Sequence, residues 1–218
     1  MKIATWNIER LKHSASLQAV CSICSNLDAD ILVLTETDER VALDSPYRFM
    51  TDQLAEESGI RYRPTEHRVA IYTKYPLVQH HPTFDRATAL CVEVETERGN
   101  LIVYATIMGV FGNRHPSYLK DLNKQILDIS ALPLNANICI CGDFNCSFSD
   151  NYYFTKEARR CLVNTFEKRG IDILTAAQSE CIDHIAISRS FVHGFDIQIR
   201  EWNIDKSLSD HKGISIQF

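Results

Sequence analysis

No apolar run in the 218 residues approaches the roughly 18–20 needed to cross a bilayer, so no membrane span is expected. The opening MKIATWNIER lacks the long hydrophobic stretch of a secretory signal, which leaves a cytoplasmic chain as the expectation. Basic residues are not in excess: 23 Lys and Arg stand against 28 Asp and Glu, for a net charge of −5. Proteins that grip duplex nucleic acid non-specifically usually show a basic surface, so tight binding of that kind is not indicated, although a local basic cleft is compatible. No Cys/His set has zinc spacing. Of the eight cysteines, Cys21 and Cys24 form a C-x-x-C pair, but both fit the apolar stripe of the helix around them. Core packing is favoured there over metal or redox chemistry. There is no internal repeat, linker or low-complexity run. With 45% hydrophobic residues, the chain reads as a single domain over 1–218.

What the chain does contain is a series of short apolar runs that stop abruptly at polar residues. Ile138-Cys139-Ile140-Cys141 ends in Gly142-Asp143-Phe144-Asn145. Such a run reads as a buried strand delivering polar groups to a sheet edge. Asp143 and Asn145 share a direction because side chains alternate along a strand. Taken alone, the pair is equally a catalytic couple or an Asx-type turn bonding its own backbone.

Residues 2–8 read as a strand ending at Trp6-Asn7. Leu17, Val20, Cys21, Cys24 and Leu27 mark one face of a helix over 14–27, with Ser14 as its cap. Ile31–Leu34 is an unbroken apolar run whose strand ends at Glu36. A strand–helix–strand crossover of this length makes the two strands parallel, placing Asn7 and Glu36 on one edge. Residues 37–66 read as polar and irregular, and 69–73 as a strand stopped by Lys74-Tyr75-Pro76. Residues 88–96 and 101–107 read as an antiparallel hairpin. Residues 117–132 and 155–168 read as amphipathic helices. Residues 182–188, 195–202 and 213–218 supply closing strands. Roughly nine strands and three helices, with helices between strand groups, suggest two packed sheets with helices outside.

Polar groups collect where strands stop or start: Asn7, Glu36, Asp143, Asn145, Asp183, Asp210 and His211. Strand interiors exclude such groups, because an unpaired buried carboxylate is strongly unfavourable. Gathered on one edge, four acids, two carboxamides and one histidine suit a hard cation, Mg²⁺ or Mn²⁺. Mg²⁺ takes one or two carboxylates and leaves the rest of its shell to water and substrate phosphate. The donor set therefore suits phosphoester chemistry better than a structural metal.

Trp6-Asn7, Thr35-Glu36-Thr37, Gly142-Asp143-Phe144-Asn145, Asp183-His184-Ile185 and Ser209-Asp210-His211 together resemble the signature blocks of the endonuclease/exonuclease/phosphatase (DNase I-like) superfamily. They come in that family's order and span almost the whole chain. Residues 70–77, AIYTKYPL, also resemble its strand ending in Ser-Lys-Tyr-Pro. The resemblance implies an α/β fold, a four-layer α/β/β/α sandwich of two mixed β-sheets flanked by helices. It also implies divalent-cation-dependent hydrolysis of a phosphodiester, with a nuclease as the leading reading. Glu36 would be the main metal ligand, Asn7 beside it and Asp210 adjacent. Asp143 would orient or deprotonate the attacking water, and Asn145 would hold that water or a phosphoryl oxygen. His211 would sit on the phosphate, with Asp183 fixing its tautomer. The expected partner is nucleic acid or another phosphodiester, and the expected state a monomer. The same scaffold serves phosphatases and phosphodiesterases on small-molecule or lipid phosphates. A binding module without catalysis is the reading from another class.

One block departs from the pattern. Family members usually carry His, or a Tyr and Asn pair, at the end of the strand matching 101–107, where this chain reads Tyr104-Ala105-Thr106-Ile107-Met108-Gly109. Tyr104 is one candidate for gripping substrate. Arg114 and His115 in the next loop are others, set against the plain alternative of a solvated loop. Arg68, with Arg61, Arg63 and His67, forms a basic patch that either contacts phosphate or is a solvated surface. His184 points to the opposite sheet side from Asp183 and reads as a packing residue.

Overall fold

The computed structural model describes residues 1–12, 16–54, 56 and 59–218. Two mixed six-stranded sheets pack face to face. The first runs in the order β11 (Gln198–Trp202), β12 (Gly213–Gln217), β1 (Lys2–Asn7), β2 (Ile31–Asp38), β4 (Glu66–Thr73) and β3 (Tyr47–Met50). The second runs β5 (Leu77–His81), β6 (Ala89–Thr96), β7 (Gly99–Ile107), β8 (Asn137–Asp143), β10 (Asp183–Ser188) and β9 (Ile171–Ile173). The long helices are α1 (Ser16–Leu27), α2 (Tyr118–Ala131) and α3 (Lys156–Lys168). Ser14, expected to cap α1, lies outside the described residues.

Each sheet is built around one crossover. β1 and β2 are parallel and joined through α1; β7 and β8 are parallel and joined through α2. The expected hairpin is the antiparallel pair β6–β7. Alternation along the strands divides the core. In β8, Cys139 and Cys141 face the other sheet, while Ile138 and Ile140 lie under α2 and α3. A strand covered on both faces is apolar throughout, which is why β8 reads as an unbroken run. Val33, Val69, Val103, Ile185 and Ile216 fill the space between the sheets. Val20 and Cys24 of α1 cover Trp6, Leu32 and Leu34 on the outside of the first sheet. Leu122, Leu162 and Phe166 cover Ile102 and Tyr104 on the outside of the second. The layers are therefore α/β/β/α. All eight cysteines are free thiols, and Cys21 and Cys24 belong to the α1 packing.

Three short strands depart from the expectation. β3 lies within the supposedly irregular 37–66 stretch, and β5 and β9 were not foreseen. All three are edge strands, and β5 is exposed along most of its length. Such strands are ordered by their neighbour's hydrogen-bond ladder and need little apolar pattern of their own. β4 also starts at Glu66 rather than at 69, which changes the fate of its basic residues. No described helix is long and apolar enough to cross a membrane.

Candidate active site

The exits of β1, β2 and β8 and the start of β10 converge at one edge of the sandwich. Asn7 Nδ2 donates to Glu36 Oε1 at 3.3 Å and to Asp143 Oδ2 at 3.2 Å. One amide thus ties the acid of the first sheet to that of the second. Asn7 Oδ1 accepts from the Glu9 N–H at 2.9 Å, which fixes the amide's orientation. Glu36 sits at φ 45° and Asn145 at φ 48°. Asn tolerates that left-handed conformation, but Glu does not favour it. Such strain persists where surrounding structure over-determines it, here between the Thr35–Val69 and Thr37–His67 pairs of β2 and β4. Gly142, at φ 137°, precedes Asp143. A Cβ there would run into the Thr106 carbonyl, so only glycine lets β7 and β8 pair this closely beside the site.

Asp183 opens β10 directly opposite Asp143 in the antiparallel pair. Its Oδ2 accepts from His211 Nδ1 at 2.6 Å. Ligand atoms of Asp143, Asp183 and His211 lie within 4.8 Å of one another. His211 Nε2 is 3.7 Å from Asp210 Oδ1. The loop carrying His211 is tied to β1 by residues that the sequence reading gave no role. Ser209 Oγ donates to the Asn7 carbonyl at 2.6 Å and accepts from the His211 N–H at 3.1 Å. Trp6 Nε1 and Asn203 Nδ2 both donate to the His211 carbonyl, at 3.1 and 2.7 Å. Ser209 was findable, since it opens the Ser-Asp-His tripeptide; Asn203 carries no local signal.

Burial pushes the Asp143 carboxyl up to about 7; His211 and the Asn145 N–H oppose this, while Asp183 and Glu36 add to it. Burial alone would pull His211 down. The charges of Asp183 and Asp143, with the Asp183 hydrogen bond and nearby Asp210, overcome it and hold the imidazole at about 10. His211 is therefore a cation at neutral pH. His184 faces the other way, as expected, packed against Phe144 and Phe148. Burial pulls it down to about 4, so it is neutral.

The donor chemistry of this edge fits a hard divalent cation. Glu36 and Asp210 line the cleft, and Asp183 Oδ1 is buried with no hydrogen-bond partner among the described residues. Four acids surround one imidazolium, a negative excess that a cation would offset, and no cysteine lines the cleft.

The cleft itself has a volume of about 480 Å³. From the first sheet's side come Arg10, Tyr62, Glu66 and Arg68, and from the second sheet's loops come Val110, Phe111, Gly112, Tyr152 and Tyr153. The basic patch divides: Arg61 and Arg63 are exposed at the surface, whereas His67 and Arg68 are buried in β4. Arg63 Nε and Arg10 Nη2 pair with Glu66 at 2.7 and 2.8 Å, and Arg40 pairs with Asp38 at 2.8 Å. Arg68 is buried, donates to Thr88 Oγ1 at 3.0 Å and lines the cleft. The early start of β4 places residues 66–68 inside the sheet.

Of the other substrate candidates Tyr104 is corrected, while Arg114 and His115 fit the alternative of a solvated loop. Tyr104 is fully buried on the outer face of the second sheet, and its hydroxyl donates to Asp128 at 2.9 Å. It stands three residues before Ile107, so alternation turns it away from the inner face on which Ile107 lies. Arg114 and His115 are exposed and absent from the cleft lining; His115 packs on Phe111 and bonds Ser117. Tyr62, Tyr152 and Tyr153 line the cleft, and none was expected there. The aromatic run that follows Gly-Asp-Phe-Asn was the available signal for two of them.

The two sheets and their shared polar edge define a DNase I-like sandwich. The chain belongs to the endonuclease/exonuclease/phosphatase family, whose model matches residues 4–211. No curated protein matches the sequence. Among solved structures, the 3′ phosphatase NExo from Neisseria, bound to product DNA hairpin, is similar at 16% identity and a TM-score of 0.72, over 100% of this chain and 99% of that one. The endonuclease domain of TRAS1, a telomere-specific non-LTR retrotransposon, is 16% identical with a TM-score of 0.68, over 99% and 96%. Beta toxin from Staphylococcus aureus is 17% identical with a TM-score of 0.63, over 100% and 99%. At such identities the likeness carries the fold alone.

Proposed function

We propose that the protein is a divalent-cation-dependent phosphodiesterase, a nuclease acting on single-stranded or terminal phosphodiesters. The observation that carries this reading is the Asn7 amide bridging Glu36 and Asp143, beside the His211–Asp183 pair. Glu36 would hold Mg²⁺ or Mn²⁺, with Asn7 and Asp210 alongside. Bound there, the ion would supply Lewis-acid stabilisation of charge on the phosphoryl oxygens.

The chain's own residues supply the rest. Asp143, held near neutrality, accepts a proton from the attacking water. Asn145 Nδ2 is engaged by the Met108 and Gly109 carbonyls at 3.2 and 3.3 Å, so its Oδ1 is the atom free to orient that water. The water oxygen bonds to phosphorus, and the bond to the departing oxygen breaks with its electron pair on that oxygen. The His211 imidazolium, fixed by Asp183, donates to a phosphoryl oxygen as charge builds.

The choice of substrate rests on charge and size. Net charge is −5, and the cleft cations are already engaged, Arg10 with Glu66, Lys12 with Glu9 and Arg68 with Thr88. A long polyanion would find little free basic track. A cleft of about 480 Å³ suits a nucleotide or two. The DNA named with the similar NExo structure is in keeping with a nucleic-acid substrate.

The test is a substrate panel with Mg²⁺ or EDTA: single-stranded DNA, duplex DNA, an oligonucleotide 3′-phosphate, a chromogenic diester, an inositol phosphate and a choline phospholipid. Single-stranded DNA cleaved with Mg²⁺ and spared with EDTA is the expected result. Turnover that survives EDTA would sink the metal mechanism. Turnover of the inositol phosphate or phospholipid alone would move the substrate to a small-molecule or lipid phosphate, and no turnover at all would leave a binding module.

A further inference from the structure

Most hydrogen-bond donors at the cleft floor are already engaged. The Asn7 amide lies between Glu36 and Asp143, and the Asn145 amide nitrogen holds two carbonyls of the loop after β7. That loop begins Ile107-Met108-Gly109-Val110, four residues without a polar side chain. Into the gap the loop after β8 sends Tyr153. Its hydroxyl accepts from the Asn113 N–H at 3.2 Å, and among the described residues its own proton has no acceptor.

The placement is built from both sides. The Tyr153 N–H donates to Ser147 Oγ at 3.2 Å, and the Ser147 N–H donates to the Tyr153 carbonyl at 2.7 Å. Asp150 steadies the same loop by accepting from the N–H groups of Tyr152 and Glu180 at 3.0 and 2.7 Å. On the far side is Gly112, at φ 79°. A Cβ on Gly112 would strike the Tyr153 hydroxyl, and the same point lies 3.8 Å from Asn145 Oδ1. The phenol therefore sits beside the carboxamide that orients the water, and only glycine admits it. Burial pushes the phenol up, and the Asp143 charge adds to this, so the hydroxyl keeps its proton.

We infer that Tyr153 is a catalytic residue whose hydroxyl donates a hydrogen bond to a phosphoryl oxygen of the bound ester, alongside His211. The inference rests on the phosphodiesterase reading. No proton changes hands at Tyr153: the O–H shortens its contact as negative charge builds on that oxygen.

Tyr153→Phe removes the hydroxyl while keeping the ring and both Ser147 bonds. On the diester that the wild type cleaves best, kcat is expected to fall at least ~10-fold with KM nearly unchanged, the signature of a contact made in the transition state. Inhibition by orthovanadate, which mimics the five-coordinate phosphorus, should weaken by a similar factor, with the melting temperature held within a few degrees. Unchanged kcat would overturn the inference. So would a fall in kcat with unchanged vanadate inhibition, because the hydroxyl would then only brace Asn113 and its loop. A wild type inert on every phosphoester would sink the parent reading and this one with it, whereas an active wild type with an equally active Tyr153→Phe would sink this one alone.

Discussion

The crossovers β1–α1–β2 and β7–α2–β8 are built alike and end differently. Each is a parallel strand pair with an antiparallel neighbour on both sides, β12 and β4 in the first sheet, β6 and β10 in the second. The first exit presents Asn7 and, on β2, Glu36. The second presents Ile107 paired with Asp143. Ile107 completes the hydrocarbon between the sheets, while Asn7, equally buried, carries the amide that joins the two acids. The strain is also distributed differently. In the first unit it falls on Glu36 itself; in the second it falls on Asn145, two residues past Asp143. Equivalent scaffolds thus set where a strand stops, and the residue standing there sets the chemistry. The second exit lacks a polar partner on β7, and a side chain from another loop stands in its place.

The largest effects should come from the second exit and its imidazole. Asp143→Ala and His211→Ala are each expected to lower the rate at least ~10²-fold, the scale for losing a proton acceptor or a transition-state donor. Near-wild-type rates in either would show that the chemistry lies elsewhere. Asp143→Asn gives the same loss with an opposite effect on stability. A carboxyl raised from 3.8 to about 7 contributes stability that is fully present below pH 3.8 and lost as pH rises through 7. An amide cannot ionise. In EDTA the melting temperatures of wild type and Asp143→Asn should therefore agree at pH 4 and diverge above pH 7, with the variant higher. No divergence would mean that the buried carboxylate is not held near neutrality.

A smaller, more specific effect is expected at Asp183. His211 is raised from 6.5 to about 10, so its contribution to stability is fully present below pH 6.5 and is lost as pH rises through 10. In Asp183→Asn most of the opposing charge is gone while the shape remains. The His211 midpoint should drop towards neutrality, read by NMR of its ring proton in metal-free protein. Activity should fall ~10-fold or more at pH 9, where the variant's imidazole is neutral, and less at pH 6. A midpoint still near 10 in the variant would assign the shift to Asp143 and Asp210 instead.

The contrast between the two crossovers was partly legible in the sequence. The β1–β2 pair follows as parallel from its strand–helix–strand crossover, and Asn7, Glu36, Asp143, Asp183 and His211 stood out because each lies where a strand stops or starts. These are one-dimensional signals. β3, β5 and β9 were not legible, because an edge strand takes its order from a neighbour far away in sequence. Arg68 stayed open between phosphate contact and solvated surface for a related reason: its burial depends on where β4 starts, at Glu66, which pairs with Arg10 and Arg63. Tyr104 failed through register, since a difference of three residues along a strand reverses the face. Tyr153 reaches the cleft through a loop whose course depends on Ser147, Asp150 and Gly112 together, and no local pattern encodes that course.

The smallest and most discriminating test exchanges severity between the two exits. Asn7→Ala removes a small amide, leaves Glu36 and Asp143 unbridged and frees the Glu9 N–H. Two carboxylates then share the edge with nothing between them, and metal affinity or rate should drop roughly tenfold, the usual cost of losing a group that orients ligands. Ile107→Ala removes more atoms from an equally buried site, at a stability cost of about 2–4 kcal/mol read by urea denaturation. Its side chain lines the cleft but brings no polar atom, so the activity of the folded fraction should change less than in Asn7→Ala. Should Ile107→Ala lose as much activity as Asn7→Ala, the apolar end of β7 would be shaping the cleft directly, and the two exits would differ less in function than in composition.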